Sequence, residues 1–240
     1  MNKIITYENL GYFAYSNCKL LKTAPRGIVI DFFGLGCDDM YGEDTAAGKR
    51  FAENGIIFLV PYNNPWAWMN RQAVRYTDEI IRVILDRYNL PDTTPIVSSG
   101  GSMGGLSAIV YTRYAAVTPT CCVANCPVCD LPFHFTERYD LPRTLYSAFY
   151  NEDGDIFEVL KSASPIHLVD SMPKVSYKIF HCDNDTAVNI GKHSEVFVSA
   201  MKAAGHDIEY RVVKGRGHCD LPEEERERYY AFAEKAIISG

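Results

Sequence analysis

Apolar residues along this chain follow two rhythms. Short, nearly continuous apolar runs occur at 26–33 (RGIVIDFF), 56–62 (IIFLVPY), 95–99 (PIVSS), 120–126 (TCCVANC) and 176–182 (SYKIFHC). Each is too short for a helix of useful length and reads as a buried strand. Between them, apolar residues recur at helical spacing. The segment 72–91 carries Ala73, Ile80, Ile84 and Tyr88 on one face and is closed by Pro91. Further helices are predicted over 45–55 and 195–205, each stopped by a glycine (Gly55, Gly205), and over 103–115 and 223–237. DIEYRVVKG at 207–215 supplies a last strand.

This alternation predicts an open, mostly parallel, doubly wound sheet with helices on both faces, in a single domain spanning 1–240. Two stretches break the rhythm. Residues 127–164 hold Pro127, Pro132, Pro142 and many aromatics, and read as a cap-like insert over the sheet edge with helical pieces near 142–150 and 155–162. The first 20 or so residues are expected to form a small hairpin.

Composition narrows the function classes. A formal net charge of −6, with no basic patch, argues against a nucleic-acid partner. No apolar run reaches membrane-spanning length and the N-terminus lacks the apolar core of a signal peptide, so a cytoplasmic location is expected. The eight cysteines are therefore expected to be reduced. Cys121, Cys122, Cys126 and Cys129 could be half a zinc site, but no second Cys or His pair stands at matching spacing. A buried strand lined by small thiols is the simpler reading, and neither a metal nor a cofactor is expected. No Gly-x-Gly-x-x-Gly or Gly-Lys-Ser/Thr phosphate loop occurs.

One stretch carries chemistry. Gly100-Gly101-Ser102-Met103-Gly104 fits Gly-x-Ser-x-Gly, with a predicted strand before it and a predicted helix after it. On so tight a turn a Cβ beside the serine would clash, and the serine itself must take strained φ/ψ. The following helix points its N–H groups at the site of a developing oxyanion. A serine needs a base, and the base an orienting acid, each on a loop at the carboxyl end of a strand. Six histidines compete. His218, in VVKGRGHCD after the last strand, stands in the right order with glycines that let its loop curl back. For the acid, IFHCDNDTAV offers both Asp183 and Asp185. Cys219 is expected to point away from the site, as neighbours in sequence on a loop usually do.

At these residues the sequence resembles the α/β-hydrolase superfamily, and more narrowly the branch of prolyl oligopeptidase catalytic domains and dienelactone hydrolase-like esterases. The resemblance runs from about Arg26 to Ile238: GGSMGG matches the elbow, SPIHLVD with HCDNDTAV the acid segment, and GRGHCD the histidine loop. It implies an α/β-hydrolase fold and a triad of Ser102, Asp185 and His218, with Asp183 as a turn residue. It also implies an oxyanion hole from the backbone N–H groups of Met103 and Leu35. Two positions depart from the family pattern. Cys182 replaces a glycine, and Phe33-Gly34 replaces a His-Gly pair.

The aromatic loop PYNNPWAWMN brings Tyr62, Trp66 and Trp68 to the same sheet edge, and the insert adds Phe149. These either line a pocket for a small-molecule acyl or peptide substrate or pack the insert onto the body. The leading expectation is a serine hydrolase acting on an ester, thioester or small amide or peptide bond. The alternative is a catalytically silent ligand-binding protein of the same fold, and silent relatives usually lack a triad member.

Overall fold

The computed structural model describes residues 4–239. The apolar runs form six parallel strands: β2 (Gly27–Phe32), β3 (Ile56–Pro61), β4 (Ile96–Gly101), β5 (Cys121–Asn125), β6 (Ser176–Cys182) and β7 (Ile208–Val213). A short β1 (Ala14–Ser16) adds antiparallel to β3, giving a seven-stranded sheet of order β1-β3-β2-β4-β5-β6-β7. Every position of β3 and β5 is buried because helices cover both faces, which is why these strands show no polar alternation. β7, at the free edge, does alternate.

The two faces sort by strand parity. Ile28, Ile30, Ile57 and Leu59 point into one core with α2 (Arg71–Tyr88), α3 (Met103–Tyr114) and α8 (Ser194–Ala203). Val29, Phe58 and Val60 point into the other with α1 (Ala46–Glu53) and α9 (Glu223–Ile238). Thr45 and Asn70 cap α1 and α2 through side-chain oxygens that accept the Gly48 and Ala73 N–H groups at 2.9 Å. α2 ends one step before the expected stop: Asn89, in the left-handed region at φ 52°, closes it ahead of Pro91.

Among the described residues, no hairpin forms at the N-terminus. Leu10–Tyr12 is a 3₁₀ turn, and β1 pairs with β3 instead of an earlier strand. Asn17 fixes that pairing, since its Nδ2 donates to the Gly48 and Ile56 carbonyls and its Oδ1 accepts the Phe58 N–H at 2.8 Å. Residues 1–3 lie outside the described chain.

Between β5 and β6 run α4 (Leu131–Glu137), α5 (Leu141–Phe149), α6 (Ile156–Ser162) and α7 (Pro165–Leu168). Leu131, Leu141, Leu145, Phe149 and Leu160 sink into the same core as α2 and α3. The chain leaves β2 for β3 on one side and crosses back to β4 on the other. The crevice between the carboxyl ends of β2 and β4 is therefore the topological switch point, where open α/β sheets bind ligands.

Candidate active site

β4 runs directly into Ser102, whose φ of 60° and ψ of −123° lie in a region that non-glycine residues avoid. The glycines make that turn feasible. A Cβ at Gly104 would collide with the Phe32 carbonyl oxygen, and one at Gly100 with the Gly104 carbonyl. The Ser102 N–H donates to the Asn125 carbonyl at 2.9 Å, and its own carbonyl accepts the Leu106 N–H at 3.1 Å. The serine hydroxyl has no hydrogen-bond partner among the described residues.

The two aspartates divide their work. Asp185 is fully buried. Its Oδ1 accepts the Ala187 and Val188 N–H groups at 2.8 and 2.9 Å, and its Oδ2 lies 2.6 Å from His218 Nδ1 and 3.3 Å from His181 Nε2. Burial works against this carboxylate, but the two imidazoles and the two amides outweigh it and hold its pKa well below the usual carboxylate range. Asp183 accepts the Gly215 N–H at 2.7 Å and pairs with Lys214, as a turn residue would.

The bond to Asp185 fixes the His218 tautomer. Nδ1 carries the proton and donates it, so in the neutral ring Nε2 keeps its lone pair. Burial disfavours the imidazolium, but the Asp185 carboxylate and the Cys126 sulfur overcome it, raising the His218 pKa to about 9. The Cys219 sulfur lies 3.8 Å from Nε2. That sulfur also packs on the elbow, 3.2 Å from where a Gly101 Cβ would stand. Cys219 does not point away as expected. Its left-handed φ of 56° folds the side chain back to the side of His218.

Two residues that sequence reasoning passed over join the halves of this site. Asn125 accepts the Ser102 N–H through its carbonyl and donates from Nδ2 to the Cys219 carbonyl at 3.2 Å. His181 buttresses Asp185 from below, with Nδ1 on Ser194 Oγ at 2.5 Å and Nε2 on the Val188 carbonyl at 3.2 Å. The four-residue spacing His181–Asp185 was the one available signal for it.

The N–H groups of Met103 and Leu35 have no acceptor among the described residues. The Phe33–Gly34–Leu35 turn lies beside the elbow, where a Cβ on Gly34 would stand 4.0 Å from that of Ser102. Tyr62 and Trp66 line a hollow of about 320 Å³ together with Asn63, Asn70 and Tyr76. Trp68 does not line it. It is 1% exposed, and its Nε1 donates to Thr144 Oγ1 at 3.1 Å, tying the aromatic loop to α5. Phe149 is also buried and backs a second hollow beside Arg71 and Glu152.

The four central cysteines do not converge. Cys121 and Cys122, consecutive on β5, face opposite cores, and so do Cys126 and Cys129. Three other groups of metal-ligating type exist among the described residues: Cys126–His218–Cys219, Cys126–His181–Asp185 and His134–Glu137–His193. In the last, His193 Nδ1 accepts the Cys129 N–H at 3.0 Å and the Asp130 N–H at 3.3 Å, so Nε2 must carry the proton it gives to Glu137. His181 Nε2 is likewise the donor to the Val188 carbonyl.

The sequence matches the prolyl oligopeptidase family over residues 73–237, about two thirds of the chain. No curated protein matches significantly. Among solved structures, the fold is similar to the acylaminoacyl peptidase of Pyrococcus horikoshii, with 13% identity, a TM-score of 0.69, and coverage of 89% of this chain but 37% of that one. It is also similar to a thermophilic esterase of Thermogutta terrifontis, with 20% identity, a TM-score of 0.64, and coverage of 94% and 86%. A third is the S-formylglutathione hydrolase of Agrobacterium tumefaciens, with 15% identity, a TM-score of 0.61, and coverage of 89% and 81%. At these identities the likeness is one of fold, and the chain spans little more than a third of the peptidase. No helix among the described residues is long and apolar enough to cross a membrane.

Proposed function

The chain belongs to the prolyl oligopeptidase family, and from that premise we propose that it is a serine hydrolase cleaving an ester, thioester or small amide or peptide bond through an acyl-enzyme on Ser102. The observation that carries this reading is the 2.6 Å bond from His218 Nδ1 to the buried Asp185 carboxylate, which leaves Nε2 of the neutral ring free beside Cys219, whose sulfur packs on the elbow. In the forward step Nε2 takes the Ser102 proton while Oγ adds to the substrate carbonyl carbon. The tetrahedral oxyanion sits against the N–H groups of Met103 and Leu35. The imidazolium, stabilised by Asp185, then returns the proton to the leaving group, and water repeats the sequence to release the acid.

No step needs a cofactor, because every proton and electron pair is supplied by these groups, substrate and water. The substrate is a small molecule: Tyr62 and Trp66 form one wall, and the insert 127–164 acts as a fixed cap, its apolar side chains seated in the main core. The absence of a basic patch speaks against nucleic acid as a partner, and a cytoplasmic setting suits eight reduced thiols.

A fluorophosphonate should label Ser102 stoichiometrically and abolish hydrolysis across a panel of aryl esters, thioesters and dipeptidyl amides. Labelling at another residue, or full turnover by Ser102→Ala, would remove the basis of this reading.

A further inference from the structure

Of the three metal-ligating groups, only Cys126–His218–Cys219 contains no histidine whose Nε2 is committed as a donor to a carbonyl or carboxylate. His181 and His193 are committed as Nε2 donors by the carbonyl and amide partners described above. His218 is the reverse case, since Asp185 accepts the hydrogen bond of Nδ1–H and the neutral ring leaves Nε2 without a proton. A carboxylate behind a histidine in this way is the usual support of a zinc-ligating imidazole.

The sulfurs complete the set. The ligand atoms of Cys126, His218 and Cys219 lie within 4.8 Å of one another, with Cys219 Sγ already 3.8 Å from Nε2. A tetrahedron built on Zn–S of about 2.3 Å and Zn–N of about 2.0 Å has edges of roughly 3.5–3.8 Å, so closure needs shifts on the order of 1 Å or less. Two features hold the sulfurs there. Cys126 and Cys219 both occupy left-handed backbone, at φ 45° and 56°. The Cys126 sulfur also accepts the N–H groups of Cys182 and Cys219 at 3.4 Å, which fixes its position. Cys126 is buried, whereas Cys219 and His218 are part-exposed and give a cation its route in.

We propose that Cys126, Cys219 and His218 form a site for a thiophilic divalent cation such as Zn²⁺, and that its occupancy switches the hydrolase off by taking the Nε2 lone pair from Ser102. The cation displaces the two thiol protons to solvent, and no electron is transferred. A water or the serine hydroxyl fills the fourth position. The inhibitory half rests on the function proposed above, whereas the binding half does not.

The test is a calorimetric titration of chelator-treated protein with Zn²⁺, a parallel Co²⁺ titration read by absorbance, and ester hydrolysis at each metal level. One zinc per chain, a thiolate-to-cobalt charge-transfer band, and a loss of hydrolysis that follows occupancy and reverses with EDTA are expected. Cys219→Ser, its hydrolysis read against its own metal-free rate, should weaken zinc by more than ~100-fold and lose the band, and Asp185→Asn should weaken zinc by ~10–100-fold. Cys126→Ser repeats the measurement at the buried thiol, with Cys219→Ser covering the case in which it fails to fold. Absence of stoichiometric zinc, or zinc binding and inhibition unchanged in Cys219→Ser, overturns the site. Thiolate-ligated zinc on a fully active enzyme overturns the switch, and with it the role of His218 as base. Thiolate-ligated zinc on a chain with no hydrolase activity supports the site and overturns the function proposed above.

Discussion

Replacing Asp185 by asparagine tests the proposed chemistry most sharply, because the structure dictates how the amide must sit. Oδ1 accepts two backbone N–H groups at 2.8 and 2.9 Å. An asparagine keeps both bonds only by placing its oxygen there, which turns its NH₂ toward His218 Nδ1. That nitrogen must then accept, the ring proton moves to Nε2, and the base is lost while the loop is kept. A wrong tautomer of this kind costs ~10⁴-fold in kcat, or about 5 kcal/mol of transition-state stabilisation.

The pH profile gives an independent reading. In the native protein His218 titrates above its ordinary 6.5, with about 9 as the upper bound, because part of the rise comes from Cys126. Bonding to Cys219 and burial raise the Cys126 thiol itself, so it is uncharged in this range. The base works only when neutral, so kcat/KM should rise with pH along a limb between 6.5 and about 9. With the carboxylate gone, burial is no longer offset by its charge, and the limb should move to lower pH. The signs for stability follow the same pair. The depressed Asp185 contributes above the ordinary carboxylate range and loses that contribution on acidification. The raised His218 contributes below 6.5 and loses its contribution through about 9. Aryl-ester hydrolysis from pH 5 to 10, with circular dichroism to check the fold, measures all of this. A folded variant within tenfold of the wild type, or one with an unmoved limb, would refute the reasoning.

Glu137→Ala should destabilise the fold by about 2–4 kcal/mol, or roughly 5–15 °C in Tm, because it strands two buried imidazole N–H groups of His134 and His193. Burial opposes the Glu137 charge, but those two histidines lower its pKa to about 2. The native advantage should therefore be complete above pH 4.5 and fade as pH falls through about 2, which a series of melts would follow. Trp68→Ala should cost ~3–5 kcal/mol and leave relative rates across a substrate panel unchanged, whereas the 43%-exposed Trp66→Ala should shift those relative rates with little change in Tm.

Period and punctuation made the sheet legible. The runs at 26–33, 56–62, 95–99, 120–126 and 176–182 are nearly continuous in apolar residues because helices cover both faces of the sheet. The N-terminus was not legible, since the pairing of Ala14–Ser16 depends on Asn17 reaching Gly48 and Ile56, contacts far apart in sequence. At the site, the elbow could be read locally because its constraint is steric and adjacent. Between Asp183 and Asp185 only the family resemblance gave a preference, and the structure puts Asp185, not Asp183, on His218. Cys219 was misjudged, and the two readings of Trp68 could not be separated, for one reason. Each takes left-handed backbone, at φ 48° and 56°, and a single such residue reverses the side-chain direction that neighbour rules assume.

The surroundings of α3 and β7 differ in a way that bears on how activity would be lost. α3 is enclosed by core on nearly every side, so the serine at its head is released only when the whole molecule opens. The His218 loop hangs from an edge strand whose Glu209 and Arg211 face solvent, and it is pinned by a handful of bonds such as Asn184 N–H to the Arg216 carbonyl at 2.9 Å. The proton-handling arm and the serine's seat therefore belong to units with different opening free energies. Under the proposed function, warming or mild denaturant should reach the arm first, leaving a compact protein that has lost hydrolysis and recovers it on return without refolding.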